Sequence, residues 1–570
     1  MCDNKGANFL TRIPTIPEEL QGTSDIPLVL GNPWARQCAL KILQYTGYSG
    51  IFKTVAGKNR SYFQRLPAER RTMSGKTYIE PQTTLTVYDE CDLLVVGGGA
   101  AGHSAAVAAA RAGCRNIILM ERYGYCGGDV TGSYVLMLPC LSWYNKNYVR
   151  GLQHEWIERL SKVPNGVIAS SLEDMGREDD AALIQHWKRF PGTVYGYTKE
   201  RVNRAAQVEP QQLKIEMDKM LLEHRDSIRI LYHSWGTKPI MEGNTCTGVI
   251  FESKEGRKAI LAKQVIDATG DLDLCRQTGG PTSSLASSNA RSSHTALVYR
   301  IGGFSFQKYC EWNEAHPAAA ASLKANYGRI TGIKALFFPT PYDNISWANN
   351  WHANRDCSTI EGCTQTEIEG RLHLREGIAY LRETCPYVFS DAYLVDVAPQ
   401  MGVRGSHRLV GDYTMTYDDF LFKKQHDDVI AWHSTMCALN DRAPVEIPLR
   451  ALLQKGINNI CAPGRHMSAD KMAIDSLNLI PQCVGTGQAA GVAAAVAIAE
   501  GTTLRDVNIR KVQDILAGEQ DVPLPRNPHT DISYTECAEE HQYGLYTKAA
   551  QEAIAAAGKV EHFEWGAIEH

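Results

Sequence analysis

The sequence predicts an α/β fold whose core is a Rossmann-like domain with a parallel sheet, and three observations carry this prediction. A buried strand begins near Cys91 and runs straight into a glycine-rich segment, residues 97–102. An alanine-rich helix follows that segment, and a second apolar strand follows the helix over residues 116–120. Strand, glycine-rich turn, helix and strand in this order form a βαβ unit, the building block of parallel sheets.

The glycine-rich segment has the Gly-x-Gly-x-x-Gly spacing of a dinucleotide-binding turn. Gly97 permits the tight turn, Gly99 lets the backbone approach a pyrophosphate, and Gly102 lets the helix pack close to the strand. The first helical turn, which includes Ala101, then faces the phosphates with roughly half a positive charge. Glu121 ends the second strand, where its carboxylate can accept hydrogen bonds from ribose hydroxyls. A turn that merely joins strand to helix is the alternative, and strand, helix and acid together argue against it.

Length and composition exclude several classes of protein. The chain has 570 residues, more than one hydrophobic core supports, so we expect two or three structural units. Its net charge of -4 provides no basic surface for nucleic acid. The N-terminus lacks a secretory signal and no stretch reaches the roughly 18 apolar residues of a membrane span, so we expect a cytoplasmic protein. The 16 cysteines include no C-x-x-C motif, so no metal site is predicted.

Changes of pattern along the chain predict four regions. Residues 1–85 are an N-terminal extension, and residues 86–280 and 448–517 form a discontinuous nucleotide-binding domain. Residues 281–447 differ in composition and are interpreted as an inserted α+β substrate domain, and residues 518–570 as a C-terminal tail. Helical spacing predicts helices over residues 147–160, 211–224, 364–382, 484–500 and 548–557, with a helical-looking piece at 34–47. Strands are predicted over residues 228–233, 248–252 and 264–268.

Four segments together resemble a known family. They are residues 97–102 with Glu121, residues 121–131 with the pair Gly127 and Gly128, residues 265–271, and residues 462–465 with 485–491. In order and spacing they resemble the FAD-dependent oxidoreductases of the glutathione reductase superfamily, in the branch near the fumarate reductase and succinate dehydrogenase flavoproteins. The resemblance covers about residues 91–501 and implies an FAD-binding domain of the glutathione reductase type.

The resemblance also implies which residues surround FAD. Gly127 and Gly128 would lie against the pyrophosphate and ribityl chain, with Arg122 and Thr131 in the same segment. The strand end would pass the cofactor from the other side, and a backbone group near Trp235 would meet the adenine. The remaining residues that we expect beside FAD are Ala268, Thr269, Gly270 and Asp271 at that strand end, and Gly464, Arg465, Gly487 and Gln488 near the isoalloxazine. A cation and a helix N-terminus at the isoalloxazine would stabilise reduced flavin.

The substrate face is predicted in the inserted region. Arg404, His407 and Arg408 resemble a Gly-x-Arg-x-x-x-Arg stretch of the same branch, and they are our catalytic candidates for clamping a carboxylate or moving a proton. Pairing with Asp412 or Asp418 between domains is the alternative for these charges. Relatives often carry an arginine where this chain has Asn478, so Asn478 is a candidate for a hydrogen bond to a neutral polar ligand.

Trp347 and Trp351 are further candidates for lining a substrate pocket, although aromatic residues are more often part of the core. We expect an FAD-dependent oxidoreductase that passes hydride between a small organic substrate and flavin N5. A flavin monooxygenase, or a protein whose FAD is structural and whose surface serves assembly, are the alternatives. The electron acceptor or donor is not identified by the sequence, and a homo-oligomer such as a homodimer is expected.

Overall fold

The computed structural model describes residues 76–195, 200–284, 295–331, 337–349, 351–352, 356–421, 423–434 and 444–532. The chain divides between Pro81 and Gln82, and all the helices and strands of the described residues belong to the unit Gln82–His570. The helices predicted at 34–47 and 548–557 lie outside the described residues.

The strands fall into one large sheet and several small ones. Those before residue 282 are β1 Val87–Val96, β2 Ile117–Met120, β3 Met137–Leu138, β4 Ser142–Trp143, β5 Lys146–Asn147, β6 Val167–Ala169, β7 Val194–Tyr195, β8 Arg201–Val202, β9 Ala206–Val208, β10 Ile228–Leu231, β11 Trp235–Glu242, β12 Thr245–Ser253 and β13 Gly256–Asp267. The later strands are β14 Thr282–Ser284, β15 Thr295–Ala296, β16 Tyr299–Gly302, β17 Phe337–Pro339, β18 Ile345–Ala348, β19 Trp351–His352, β20 Tyr393–Val397, β21 Gly402–Val403, β22 His407–Leu409, β23 Val429–His433, β24 Val445–Pro448 and β25 Ile460–Cys461.

The helices are mostly short, with two longer than 20 residues. They are α1 Ala100–Arg111, α2 Leu152–Ser161, α3 Ala181–Lys188, α4 Pro210–Leu222, α5 Phe306–Ala315, α6 Pro317–Thr331, α7 Ile360–Thr384, α8 Pro386–Phe389, α9 Tyr417–Leu421, α10 Lys471–Leu477, α11 Ile480–Glu500 and α12 Ile509–Asp514. Single 3-10 turns lie at Cys275–Gln277 and Leu449–Ala451, and a π-helical turn at Ile515–Glu519 follows α12.

The large sheet is the predicted Rossmann-like core. Its parallel part has the strand order β10-β2-β1-β13-β25. From β1 the sheet continues through β2 to β10 on one side and through β13 to β25 on the other. The first half of β13 also pairs antiparallel with β12, and β12 with β11, so a three-stranded meander extends the sheet. The apolar residues of β1 from Leu93 onward are almost fully buried, because helices cover the parallel sheet. The predicted α/β fold class is confirmed.

Helix α11 packs tightly along α1 in the centre of the protein. A Cβ added to Gly487 would lie 2.1 Å from the Ala101 carbonyl oxygen, and one added to Gly491 would lie 2.1 Å from the Ala105 carbonyl oxygen. Glycines one helical turn apart therefore let the two backbones approach closely. By length and composition α11 is the one described helix that could cross a membrane, but 89% of its apolar window is buried inside the protein, as in a core helix.

The region between β13 and β24 is built from short strands and helices. Strands β16, β17, β18 and β20 form an antiparallel sheet, and helices α5 to α8 lie beside it in the chain. Its aromatic core includes Phe304, Tyr309, Phe337 and Phe389, whose rings contact one another. This mixture of helix and sheet is consistent with an α+β insert, and the boundaries at residues 281 and 447 stay a prediction.

Candidate functional site

A cleft opens at the carboxyl ends of β1, β2 and β13, where ligands bind in parallel α/β sheets. It contains about 830 Å³ of space, part of which is open to solvent. The three strands end at residues that line it or lie beside it, so the sheet itself positions the cleft. The lining residues predicted from the sequence are Gly97, Gly99, Ala101, Glu121, Arg122, Gly128, Trp235, Ala268, Thr269, Gly270, Gly464, Arg465 and Asn478.

The glycine-rich turn leaves room for a ligand at one position. Apart from Gly99 itself and its two chain neighbours, no protein atom would lie nearer to a Cβ built on Gly99 than the Gly128 Cα at 3.9 Å, so the space beside it is open. Gly97 differs, because its φ is +99° and a Cβ would meet the Ala268 carbonyl oxygen at 2.4 Å. The Gly127 amide donates to the Gly98 carbonyl at 2.8 Å and holds the second glycine pair against the turn. The open space at Gly99 is where a pyrophosphate would fit.

Glu121 forms hydrogen bonds to the backbone that the sequence did not predict. One carboxylate oxygen accepts a hydrogen bond from the Gly98 amide at 2.6 Å, and the other accepts from the Tyr123 amide at 2.9 Å. Burial raises the pKa of this carboxyl, and these two amide donors oppose that effect. Each oxygen keeps a further lone pair. Glu121 can therefore still accept a ribose hydroxyl while it fixes the glycine-rich turn.

One end of the cleft is aromatic and carries a cation. The Arg122 guanidinium carbon lies 5.0 Å from the Tyr123 ring centroid and 5.9 Å from the Trp235 centroid. Asp273 also lines the cleft, and Arg276 lies 3.5 Å from its carboxylate. Burial, and then the neighbouring carboxylates, raise the pKa of Asp273 to about 6. This end offers stacking surfaces for a flat aromatic ring such as adenine.

Arg465 holds another part of the cleft wall together. Its guanidinium forms ion pairs with Asp129 and with Asp271, the latter at 3.3 Å, and Nε donates to the Gly270 carbonyl at 2.9 Å. Burial alone would raise the pKa of Asp271, but Arg465 and the Ser406 hydroxyl outweigh it and the pKa is lowered. The sequence predicted a cation here, and the structure shows that its charge is already neutralised by two carboxylates.

Hydrogen bonds connect this end of the cleft to the inserted region. The Ser133 hydroxyl donates to Asp129 at 3.0 Å, and the Gln400 amide nitrogen donates to the Ser133 hydroxyl at 3.1 Å. The Tyr125 hydroxyl donates to the Gln400 amide oxygen at 3.4 Å. Gln400 lines the cleft, so it is the part of the insert that reaches the candidate site.

Helix α11 begins at the cleft, but earlier than predicted. Its first residue is Ile480 with Leu479 as N-cap, and Ile480 and Cys483 line the cleft. Pro481 in the first turn fits a helix start, because that position needs no N–H donor. The expected start at residues 484–485 is therefore corrected.

Gly487 and Gln488 do not line the cleft, contrary to the prediction. Gly487 is instead a contact point with α1, where a side chain would meet the Ala101 carbonyl. The Gln488 side chain is almost fully buried elsewhere, where it accepts from the Leu152 amide at 3.1 Å and donates to Gln520 at 3.1 Å. Both residues are one or two turns too far along α11 to face a ligand at its start.

Asn478 precedes α11 and has unused hydrogen-bonding capacity. Its side-chain nitrogen and oxygen are both shielded from solvent, and neither has a partner among the described residues. Leu479 offers no side-chain cap to the first turn of the helix. Because buried polar atoms in native proteins are nearly always hydrogen-bonded, this amide is available to a ligand or a water molecule in the cleft.

Four other predicted residues support the cleft without lining it. A Cβ on Gly102 would lie 1.7 Å from the Gly97 carbonyl oxygen, so this glycine permits the helix to pack on the turn. Gly127 has a φ of +110°, and Thr131 donates to the Cys126 carbonyl at 2.5 Å. Asp271 accepts from the Ser406 hydroxyl at 2.5 Å.

The three catalytic candidates of the insert do not line the cleft either. Arg404 follows β21 and is half-buried, and His407 and Arg408 lie on β22, which pairs with β14. Burial, followed by the Arg276 charge, lowers the pKa of His407. Arg408 donates from Nε to the Ser283 hydroxyl at 2.8 Å, while its Nη1 is buried without a partner among the described residues.

The structure describes the side chain of one tryptophan candidate, Trp347, but not that of the other, Trp351. Trp347 is 1% exposed, stacks on Phe338 with a centroid distance of 4.3 Å, and donates to the Gln207 side chain at 3.3 Å. It is a core residue, which corrects the substrate-pocket prediction. Trp351 lies in β19, which pairs with β15, and the placement of its side chain is outside the described part of the chain.

Several cleft residues were not predicted from the sequence. They are Ser234, Asp273, Asp129, Gln400 and Cys483. Asp129 directly follows the glycine pair, so its position after that pair was the available signal. Gln400 lies two residues before the Gly-x-Arg stretch that begins at Gly402, and nothing in its own sequence context marks it. In the described part of the chain no three His, Cys, Asp or Glu side chains are grouped to hold a metal ion.

The sequence matches one protein family over most of its length. A family model described as FAD dependent oxidoreductase matches residues 92–516, which includes every segment that lines the cleft. A urocanate reductase of Eggerthella lenta is 39% identical over 66 residues, a stretch that is 12% of this chain and 11% of that protein.

Similar solved structures are distant. A geranylgeranyl bacteriochlorophyll reductase-like protein from Thermoplasma acidophilum is 13% identical, with 81% of this chain and 87% of that chain covered and a TM-score of 0.39. A p-nitrophenol 4-monooxygenase from Pseudomonas putida is 9% identical, with 82% and 98% covered and a TM-score of 0.40. Similarity at this level carries no information about the reaction.

Proposed function

This chain belongs to the FAD-dependent oxidoreductase family, and from that premise we propose that it transfers hydride between a small organic substrate and N5 of bound FAD. The observation that carries the proposal is the cleft at the strand ends, with open space at Gly99 and an unused amide at Asn478. A pyrophosphate accounts for the first feature, and a polar group of a substrate bound beside the cofactor accounts for the second.

The lining residues suggest how FAD would lie. Arg122 and Trp235 would hold the adenine, and Glu121 the ribose. The turn at Gly99 and Gly128 would hold the pyrophosphate, and the Gly464–Arg465 end would hold the isoalloxazine. When bound, the cofactor supplies the capacity to accept or donate hydride, and the chain supplies position, electrostatics and exclusion of water.

The chain's own groups keep that end of the cleft rigid. Arg465 connects the glycine-pair segment through Asp129 with the end of β13 through Asp271. Ser406 and Gln400 join the insert to the same network. A substrate held between Gln400 and the cofactor would meet polar groups that are already in position. These groups would not have to rearrange during the reaction, which lowers its barrier.

We retain Arg404, His407 and Arg408 as candidates for substrate handling in the insert. The partnerless Nη1 of Arg408 supports a role in binding, because a buried N–H donor without an acceptor is costly. The lowered pKa of His407 leaves it uncharged near neutral pH, where it could accept a proton. Ser406, immediately before them, already contacts Asp271 beside the cleft.

Among branches of the family, we propose a relationship to the fumarate reductase and succinate dehydrogenase flavoproteins. The order of the four sequence motifs supports it, and the 66-residue match to a urocanate reductase is further support.

An anaerobic substrate screen tests the proposed reaction. Candidate alcohols, amines and saturated acids are added to the oxidised protein, and bleaching of the flavin absorption near about 450 nm is followed. Unsaturated or carbonyl compounds are added to the chemically reduced protein, and recovery of the same absorption is followed. A structural flavin would respond to neither set. Oxygen consumption that depends on NAD(P)H and on substrate would instead identify a monooxygenase.

A further inference from the structure

The end of the cleft where the isoalloxazine would bind carries more carboxylates than cations, although the sequence predicted a free cation there. Arg465 is the cation there, and it is paired with both Asp129 and Asp271. Because the pKa of Asp271 is lowered, this carboxyl is ionised at neutral pH. One guanidinium against two carboxylates leaves a net negative charge at this end.

The other titratable groups nearby do not reverse that balance. Burial raises the pKa of the Cys483 thiol to about 12, so it is neutral. Burial lowers the pKa of His466, which accepts or donates only to backbone groups at the end of β13. The second cleft arginine, Arg122, also lowers the pKa of Asp271, but two further carboxyl groups, Glu121 and Asp273, line the cleft as well.

Asn478 supplies the hydrogen-bonding group at this end. Its amide nitrogen and oxygen are buried and have no partner among the described residues, so a donor and an acceptor are both available. Ile480 and Cys483, which follow on α11, give the same wall an apolar surface. A carboxylate ligand would use only the donor and would face the net negative charge, whereas a carboxamide or carbonyl compound with an N–H or O–H group could use both atoms.

We infer that the part of the cleft formed by Asp129, Arg465 and Asn478 binds the neutral polar group of a substrate, such as a carboxamide, in preference to a carboxylate. This inference rests on the proposed function, because it names the class of substrate for the same site. It makes Asn478 a specificity-determining residue.

A matched pair of ligands tests the preference. FAD-loaded protein is titrated with propionamide and with propionate, which have nearly the same shape, and the perturbation of the flavin absorption spectrum gives each dissociation constant. We expect propionamide to bind at least about tenfold more tightly, because it makes one more hydrogen bond to Asn478 and is not repelled by the carboxylates. Tighter or equal binding of propionate, or no saturable effect of propionamide, would overturn the inference.

Substitution of Asn478 tests whether this residue causes the preference for propionamide. Asn478→Leu and Asn478→Asp have similar size, and both should weaken propionamide binding by roughly tenfold through loss of amide hydrogen bonds. Asn326→Leu on α6, where the amide makes one 3.4 Å contact to Ser322, is the control. Unchanged propionamide affinity in Asn478→Leu, or a loss of FAD affinity alone, would contradict the assignment. A colourless wild-type protein would instead refute the proposed function, so the two failures are distinguishable.

Discussion

The Glu121 carboxylate accepts a hydrogen bond from the Gly98 amide at 2.6 Å. This contact joins the end of β2 to the glycine-rich turn that follows β1, so the turn has its shape before any cofactor binds. The same side chain can therefore contribute to folding and to ribose binding, and the two contributions can be separated experimentally.

Glu121→Ala should weaken both properties. The variant leaves the buried Gly98 and Tyr123 amides without acceptors, and we expect the free energy of unfolding to fall by about 1–3 kcal/mol, measured by urea denaturation of the apoprotein. FAD affinity should fall as well. Glu121→Gln keeps one acceptor oxygen and should be intermediate; equal stability of all three proteins would contradict this role.

The pH dependence of unfolding gives a second test of Glu121. Burial raises its pKa above the ordinary value of 4.5, so its contribution to stability is present below that value and is lost as the pH rises through the folded-state pKa. Relative to Glu121→Gln, which has no ionisable group here, the wild-type protein should lose stability as the pH increases. Parallel pH profiles of the two proteins would be inconsistent with this shift.

Gly99→Ala and Gly102→Ala should affect different properties of the protein. In Gly99→Ala the new methyl group enters open space, so the apoprotein should unfold at nearly the same temperature as the wild type, while FAD affinity falls at least about tenfold. In Gly102→Ala the methyl group would lie 1.7 Å from the Gly97 carbonyl oxygen, and stability should fall by more than about 3 kcal/mol. Full FAD binding by Gly99→Ala would place the pyrophosphate elsewhere.

Asp273 should make FAD binding pH-dependent. Its pKa is raised to about 6, so the side chain is neutral in mild acid and becomes a carboxylate as the pH rises. Because it lines the same cleft as the anionic pyrophosphate would, FAD affinity should fall roughly three- to tenfold between pH 5 and pH 8. Isothermal titration at several pH values measures this. Asp273→Asn should flatten the profile, and an unchanged slope in that variant would assign the dependence to another group.

Arg465 should be far more important to stability than a surface arginine. Arg465→Gln leaves Asp129 and Asp271 close together without a cation, and we expect a loss of about 3–5 kcal/mol in urea unfolding. Arg111→Gln removes a more exposed ion pair with Glu155 and should cost at most about 1 kcal/mol. Similar losses in the two variants would mean that the buried pairs do not hold the cleft.

The same substitution should alter behaviour in acid. The lowered pKa of Asp271 contributes stability above its ordinary value of 3.8, and this contribution is lost as the pH falls through the folded-state value. Without Arg465 that acid-dependent part of the stability should disappear. A pH series of thermal unfolding from pH 6 downward compares the two proteins directly.

The sequence predicted the nucleotide-binding half of the fold well because that half is governed by local pattern. The turn at Gly97 and Gly102 requires glycine for reasons of backbone conformation and close packing, and such requirements are visible in one chain. The start of α11 was missed because Leu479 provides no polar cap and Pro481 resembled a turn.

The sequence did not predict how the site is arranged around the glycine-rich turn, because that arrangement depends on contacts between segments far apart in the chain. Asp129 and Arg465 are 336 positions apart, and only the fold brings them together. The sequence therefore predicted the cation Arg465, but it did not predict the two carboxylates that neutralise its charge. Likewise Trp347 stacks on Phe338 across the pairing of β17 with β18, and no local pattern distinguishes such a core residue from one that lines a pocket.

Binding of FAD by the purified chain tests the central claim most directly. Apoprotein is titrated with FAD while flavin fluorescence and absorption near about 450 nm are recorded. We predict saturable binding of about one FAD per chain, as expected for one Gly-x-Gly-x-x-Gly cleft. Protein that stays colourless and shows no saturable uptake of FAD would contradict the account.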